Sequence, residues 1–246
     1  MPSQQCLGYV LHRTPYRETS YIVDLFTRER GKLRGIAKGV RGSKGDRKSL
    51  LQSFQALDMT ISGRNELKNI GKLEAGASRI TLVDKPLYCA MYVNELLNRV
   101  LPEEMDFEHV FAEYQRCLGK LGAYSVSGAS EVMALEVILR EFECQLLVQL
   151  GYAPDFDLSA DFQRSILAES DYQFVHDLGF VELSGVEIRP KGTNSTQFSG
   201  SDILAIGQQQ WTSQSLSACK RLMRVALKPL LGEKPLKSRE LFKAVR

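Results

Sequence analysis

No stretch of the 246-residue sequence is apolar over the roughly 18–20 residues that span a bilayer. The opening, MPSQQCLGYVLHRTPYRE, lacks the basic-then-apolar layout of a secretory leader, so the expected compartment is the cytosol. Cysteine is scarce and scattered: Cys6, Cys89, Cys117, Cys144 and Cys219 form no CxxC pair. An odd, dispersed set argues against a disulfide framework and reads as small core residues in a reducing compartment. The three histidines, His12, His109 and His176, stand far apart in sequence, and nothing local suggests zinc. Nucleotide chemistry is missing too. Gly42-Ser43-Lys44-Gly45 lacks the GxxxxGK[ST] spacing that cradles phosphates, and no GxSxG, HExxH or GxGxxG occurs. The tightest acidic group, Glu103, Glu104 and Asp106, falls in an expected interhelix loop and reads as solvated. No enzyme activity, cofactor or metal is expected, and any remodelling of a bound strand must run on binding energy alone.

What is present is charge, unevenly placed. Residues 1–80 hold 15 Lys and Arg against 7 Asp and Glu, a net +8. Residues 81–180 carry −11 and residues 181–246 carry +6. Such segregation points to segments with different partners. The basic ends suit phosphates, where each neutralised charge adds salt-dependent affinity; the bland alternative is a set of solvated faces.

The first segment reads as β structure. Gly8–Leu11, Ser20–Phe26, Lys32–Ala37, Phe54–Ile61 and Leu67–Leu73 are short runs rich in β-branched and aromatic residues, set off by turns at 13–16, Gly31 and Gly63. Five strands in about 75 residues suit a closed barrel such as the OB-fold. Lys32 and Arg34 alternate with apolar residues, the pattern of a strand with one face outward. Between the third and fourth strands lie Lys38, Arg41, Lys44, Arg47 and Lys48 against the single acid Asp46, with Gly39, Gly42 and Gly45 denying the loop regular structure. Lys32, Arg34, Lys38, Arg41, Lys44, Arg47 and Lys48 are therefore the expected DNA contacts. Tyr9, Tyr16, Tyr21 and Phe26 are candidates for base stacking, although a strand tyrosine is more often core.

Helical patterns follow. One starts at Asp84-Lys85-Pro86 and is apolar nearly all round through Leu101, the mark of a buried helix. A second is capped by Asp106 and expected to stop at Gly122; a third spans about 130–150, ended by Gly151 and Pro154. Residues 152–200 are poor in helical pattern, with Phe174–Asp177 and Gly179–Leu183 as short strand candidates and 191–196 as a loop. Helix signals return at Ser201. On the helix Ser215–Leu227, Lys220, Arg224 and Lys228 make a basic stripe. Ser238 is expected to cap a last short helix. The fold class is α+β: an OB-fold barrel at 1–80, a helical bundle at 81–151, a small module at 152–200, and C-terminal helices at 201–246 packing on the bundle.

The run Tyr9-Val10-Leu11, Glu18-Thr19-Ser20, Leu25-Phe26-Thr27, Gly31-Lys32-Leu33-Arg34, Ala37-Lys38-Gly39 resembles the opening of the RecO family of DNA repair proteins. Tyr92–Leu101 looks like that family's first bundle helix. Leu150-Gly151-Tyr152 also matches, and Ala226–Leu241 is similar to the C-terminus of its proteobacterial members. The resemblance runs over nearly the whole chain, carried by order and spacing rather than by one motif. It implies binding to single- and double-stranded DNA, annealing of complementary strands, binding to the acidic tail of single-strand-binding protein, and work with RecR in loading RecA, at the nucleoid. For the tail, Leu139-Arg140-Glu141-Phe142 resembles the family's Leu-Arg-x-Phe, so Leu139, Arg140 and Phe142 are the expected contacts, with Arg140 exposed as the cation. Lys220, Arg224 and Lys228 are a possible second DNA track or RecR contact. Many relatives carry a four-cysteine zinc module after the bundle. This sequence has no cysteine there, so residues 152–200 are expected to be a degenerate, zinc-ribbon-like module held by packing. Two other readings stay open: a protein adaptor that tethers single-strand-binding protein without touching DNA, and a metal-dependent nuclease using the acidic middle.

Overall fold

The computed structural model describes residues 3–41, 47–127, 132–160, 164–183 and 196–242. Five strands close a barrel: β1 (Gln4–Tyr16), β2 (Ser20–Thr27), β3 (Gly31–Ala37), β4 (Gln55–Ser62) and β5 (Leu67–Arg79), in the order β1-β2-β3-β5-β4. Closure depends on β1. Its first half pairs with β4, Gln4–Gly8 against Leu57–Ile61, and its second half with β2 out to Tyr16–Ser20. Gly8 is the crossing point: a Cβ there would stand 2.7 Å from the Phe26 carbonyl oxygen. A glycine lets two backbones approach where one strand serves two sheets. Residues 13–16, expected as a turn, continue the strand, because the pairing with β2 persists; the turn is Arg17–Thr19. Val10, Val23, Leu25, Leu33, Leu57, Met59 and Ile61 fill the interior. A four-residue helix, α1 (Arg47–Leu50), precedes β4.

Two helices, α2 (Asp84–Val100) and α3 (Glu108–Ser127), belong with the barrel, as does the chain from Lys234 onward; residues 130–233 form a second compact unit. The expected bundle at 81–151 is thus divided, its third helix falling in the other unit. The outer barrel residues Tyr9 and Phe26 meet Phe111 and Tyr114 of α3 at ring-centroid distances of 5.2–6.0 Å. Both are almost fully buried, so neither stacks on bases. Gly122 does not end α3. It allows close approach: a Cβ there would lie 2.7 Å from Ile80 Cγ2. Asp106 caps as expected, accepting from the Glu108 amide at 3.0 Å.

The second unit begins with α4 (Val132–Leu150). Gly151, at φ 76°, turns its amide to the Val148 carbonyl while the Tyr152 amide reaches Leu147, which satisfies the last carbonyls of the helix. The strands β6 (Asp171–Val175), β7 (Gly179–Glu182) and β8 (Gln197–Ser199) form a sheet in the order β7-β6-β8. Phe180 touches Phe156, Phe174 and Phe198, all within 6.1 Å between centroids. That aromatic core holds the module by packing. Helices α5 (Gly200–Gly207), α6 (Ser213–Ala226) and α7 (Lys228–Leu231) follow, and α6 packs on α4. In the first unit, α8 (Ser238–Leu241) lies against α2. Ser238 does not cap α8; it is the first helical residue, and its amide and hydroxyl both donate to Glu95. Among the described residues no helix is long and apolar enough to cross a membrane.

Candidate nucleic-acid interface

The turn between β1 and β2 sets an arginine-rich face. Arg17 sits in its bend at φ 50°, with its guanidinium 5.2 Å from the centre of the Tyr16 ring. Arg13, one strand turn earlier, lies 5.3 Å from the Tyr21 ring and donates to the carbonyls of Lys48 and Leu51 at 3.2 and 2.8 Å. Arg13 therefore ties the segment after the basic loop to the barrel. On the other side of the loop, the Arg41 amide donates to Thr19 and its guanidinium to the Arg17 carbonyl, both at 2.9 Å, with the same guanidinium 5.9 Å from the Tyr21 ring. Arg17, Arg41 and Lys48 are exposed, and Tyr16 is half-exposed. Tyr21 is buried in the barrel core, so its ring seats Arg13 and Arg41 rather than a base; the exposed cations supply phosphate pairing, and Tyr16 is the ring left open for stacking.

Strand β3 contributes differently. Lys32 is half-buried and donates from Nζ to the Asn98 carbonyl of α2 at 2.9 Å; burial holds its ammonium below the usual lysine value. Its expected role as a DNA contact gives way to a structural one, since that amine fixes the end of α2 to the barrel. Arg34 points outward, about half exposed, with Nε on Asp24 Oδ1 at 2.7 Å. This hydrogen bond and the Asp24 charge raise the Arg34 pKa further. Asp24 is a hub: it also accepts from Asn98 Nδ2 at 3.3 Å and lies 3.7 Å from His12 Nδ1. Beyond Ile36 the parallel pairing of β3 with β5 stops, and an open groove of about 500 Å³ follows, lined by Ile36, Lys38, Asn69, Ile70 and Lys72 among others. Lys38 is exposed at this groove.

The structure thus brings Arg41 and Lys48 together with Arg13, Arg17, Tyr16 and Tyr21, and places Arg34 and Lys38 along β3. Lys44 lies outside the described residues, as does the side chain of Arg47. Arg13 and Arg17 were not among the expected contacts, since they lie outside the glycine-rich basic loop. They flank Tyr16 in Arg13-Thr14-Pro15-Tyr16-Arg17, a spacing that became meaningful once residues 13–16 proved to be strand.

The α4 site is unlike its expectation. Leu139, Arg140 and Phe142 are all buried, and Arg140 Nη1 pairs with buried Glu143 at 2.9 Å. An exposed cation is not what this helix offers, because residue 140 falls on a buried face shared with Glu143 and Leu147. On α6, Lys220 is held by Glu136 at 2.9 Å while Arg224 is exposed; Lys228, also exposed, opens α7.

The family model described as "Recombination protein O N terminal" matches residues 1–79, and the one described as "Recombination protein O C terminal" matches residues 85–240. The chain belongs to the RecO family. Its barrel is the RecO N-terminal domain, and the matched C-terminal region takes in both α2–α3 and the second unit. The chain is 43% identical over 243 residues to DNA repair protein RecO of Pseudoalteromonas atlantica, covering 99% of this chain and 95% of that one. It is 42% identical to the proteins of the same name from Alteromonas mediterranea, covering 96% and 95%, and Pasteurella multocida, covering 96% and 92%. The RecO proteins it resembles therefore match it almost end to end.

Proposed function

We propose that this RecO-family chain acts in DNA repair and recombination as a non-enzymatic mediator. It binds single- and double-stranded DNA on the barrel, anneals complementary strands, and works with RecR to load RecA onto DNA coated by single-strand-binding protein at the nucleoid. The observation that carries this reading is the face of Arg13, Arg17, Arg41 and Lys48 around Tyr16 and Tyr21. A backbone-tracking row of cations beside the partly exposed Tyr16 ring is tolerant of sequence, as annealing requires. Arg34 and Lys38 extend the track along β3, and Arg224 with Lys228 offers a second basic surface for DNA or RecR.

The acidic tail of single-strand-binding protein is a further partner in this reading, but Leu139, Arg140 and Phe142 are buried and Arg140 is already paired with buried Glu143, so these three residues hold α4 in place rather than receive the tail. The test is annealing of complementary oligonucleotides coated with single-strand-binding protein, without ATP. The native chain is expected to anneal them. The triple variant Arg17→Ala, Arg41→Ala, Lys48→Ala is expected to lose at least tenfold in rate and in affinity for naked DNA, with its circular dichroism unchanged. Annealing by the variant at the native rate would remove the barrel face from the mechanism and favour the adaptor reading.

A further inference from the structure

Two thiols of the second unit meet where α4 packs on α6. Cys144 Sγ and Cys219 Sγ stand 3.9 Å apart, within sulfur hydrogen-bonding distance, although 75 positions separate them in sequence. We propose that Cys144 and Cys219 form a reversible, peroxide-driven disulfide that staples α4 to α6.

The site is selective on geometry and on access. A disulfide needs its sulfurs at about 2.05 Å, so the remaining approach is about 2 Å, which the two side chains and the helices that carry them must close. Of the five cysteines, Cys6, Cys89, Cys117 and Cys219 are buried, whereas Cys144 is half-exposed. Cys144 is thus the thiol a small oxidant in solvent reaches first, and Cys219 is the partner waiting behind it. The hydrogen bond to Cys144, then burial, push the Cys219 thiol far above its ordinary value, so Cys219 keeps its proton until Cys144 has been oxidised.

The chemistry balances with hydrogen peroxide as oxidant. The Cys144 thiolate attacks one peroxide oxygen, the O–O bond breaks, and Cys144 becomes a sulfenic acid as the other oxygen leaves and is protonated to water. The Cys219 sulfur then attacks the Cys144 sulfur. The S–O bond breaks and the hydroxyl departs with the Cys219 proton as a second water. Two thiols are oxidised by two electrons in total and one peroxide is reduced to two waters. An external dithiol reverses the bond by exchange. The covalent loop so formed encloses the whole β6–β8 sheet and α5, which restricts the unfolded chain of the second unit.

The test uses the reduced full-length protein, treated with increasing hydrogen peroxide under native conditions, alkylated in denaturant and analysed by intact mass and peptide mapping. The expected result is loss of two hydrogens and of two alkylation sites, a single cross-linked peptide pair carrying Cys144 and Cys219, and a rise of several degrees in the unfolding midpoint, all reversed by dithiothreitol. In Cys219→Ser the sulfenic acid on Cys144 is expected to accumulate and be captured by dimedone; in Cys144→Ser nothing is expected to react under the same conditions. The proposal is overturned if Cys144 of the native chain proceeds to sulfinic acid with Cys219 still free, if the cross-link involves any other cysteine, or if the thiols react only after unfolding.

Discussion

Asn94 shows how a single polar residue in a buried helix face can decide the fit of two elements. The register of β1 against β2 shifts between Val10 and His12, which leaves the carbonyls of that bulge without regular partners. Asn94 supplies them, donating from Nδ2 to Val10 and Leu11 at 3.2 and 3.3 Å, and its Oδ1 accepts from the Tyr114 hydroxyl at 2.7 Å. Burial raises the Tyr114 pKa well above normal, so this hydroxyl stays a donor. Replacing Asn94 by leucine keeps the branching and the number of side-chain heavy atoms but strands three buried polar groups, each costing on the order of 1–3 kcal/mol. Asn94→Leu is therefore expected to lower stability by about 3 kcal/mol or more, read as a shifted denaturant midpoint with an unchanged slope. A change within about 0.5 kcal/mol would show that the bulge relaxes without it.

At the scale of elements, the last described helix is held by one carboxylate. Glu95 of α2 accepts from the Lys237 amide at 2.9 Å, the Ser238 amide at 2.8 Å and the Ser238 hydroxyl at 2.6 Å. Burial alone would raise its pKa, but those hydrogen bonds, with nearby Arg99, outweigh it and hold the group below the usual Glu value. A depressed folded-state pKa means that the stabilisation is full above the unfolded value near 4.5 and fades as pH falls through the lower folded value. Protection of the Lys237 and Ser238 amides against hydrogen exchange, corrected for intrinsic rates, is thus expected to drop on acidification below that value. In Glu95→Gln, protection should already be weak at neutral pH and stay flat. Equal acid sensitivity in both proteins would place the switch on another group. Glu104 behaves in the same direction for a different join: its bond to Lys68 lowers its pKa, opposed by burial and aided by Arg30, and its own amide donates to the Lys32 carbonyl.

Across the whole molecule the decisive property is the separation of charge, +8 in the first 80 residues against −11 in the next hundred. Phosphate contacts release counterions, so affinity for single-stranded DNA is expected to fall linearly on a log–log plot against salt, by tens-fold or more between about 50 and 200 mM. Each cation removed from the barrel face should reduce the slope by about 0.7 for a single strand. Arg17→Ala and Arg41→Ala are expected to do so, whereas Lys32→Met should leave the slope intact because that amine already faces the Asn98 carbonyl. Loss of slope in Lys32→Met would return Lys32 to the DNA track.

Charge segregation, strand and helix periodicity and the order of family motifs are local properties of the sequence, and they determined the five-stranded barrel, most helix boundaries and the family. Turn signals misled where pairing persisted, as at residues 13–16, and where a glycine served close approach rather than termination, as at Gly122. Only the tertiary structure decided which polar side chains were available. A sequence records that Lys32, Arg34, Arg41 and Arg140 are cations; burial and partners are set by residues far away, such as Asn98, Asp24 and Thr19, or by which helix face turns inward, as for Arg140 beside Glu143. The basic barrel was legible because composition survives folding. The arginine and tyrosine face at its rim was not, because it exists only once the turn, the loop and β2 meet.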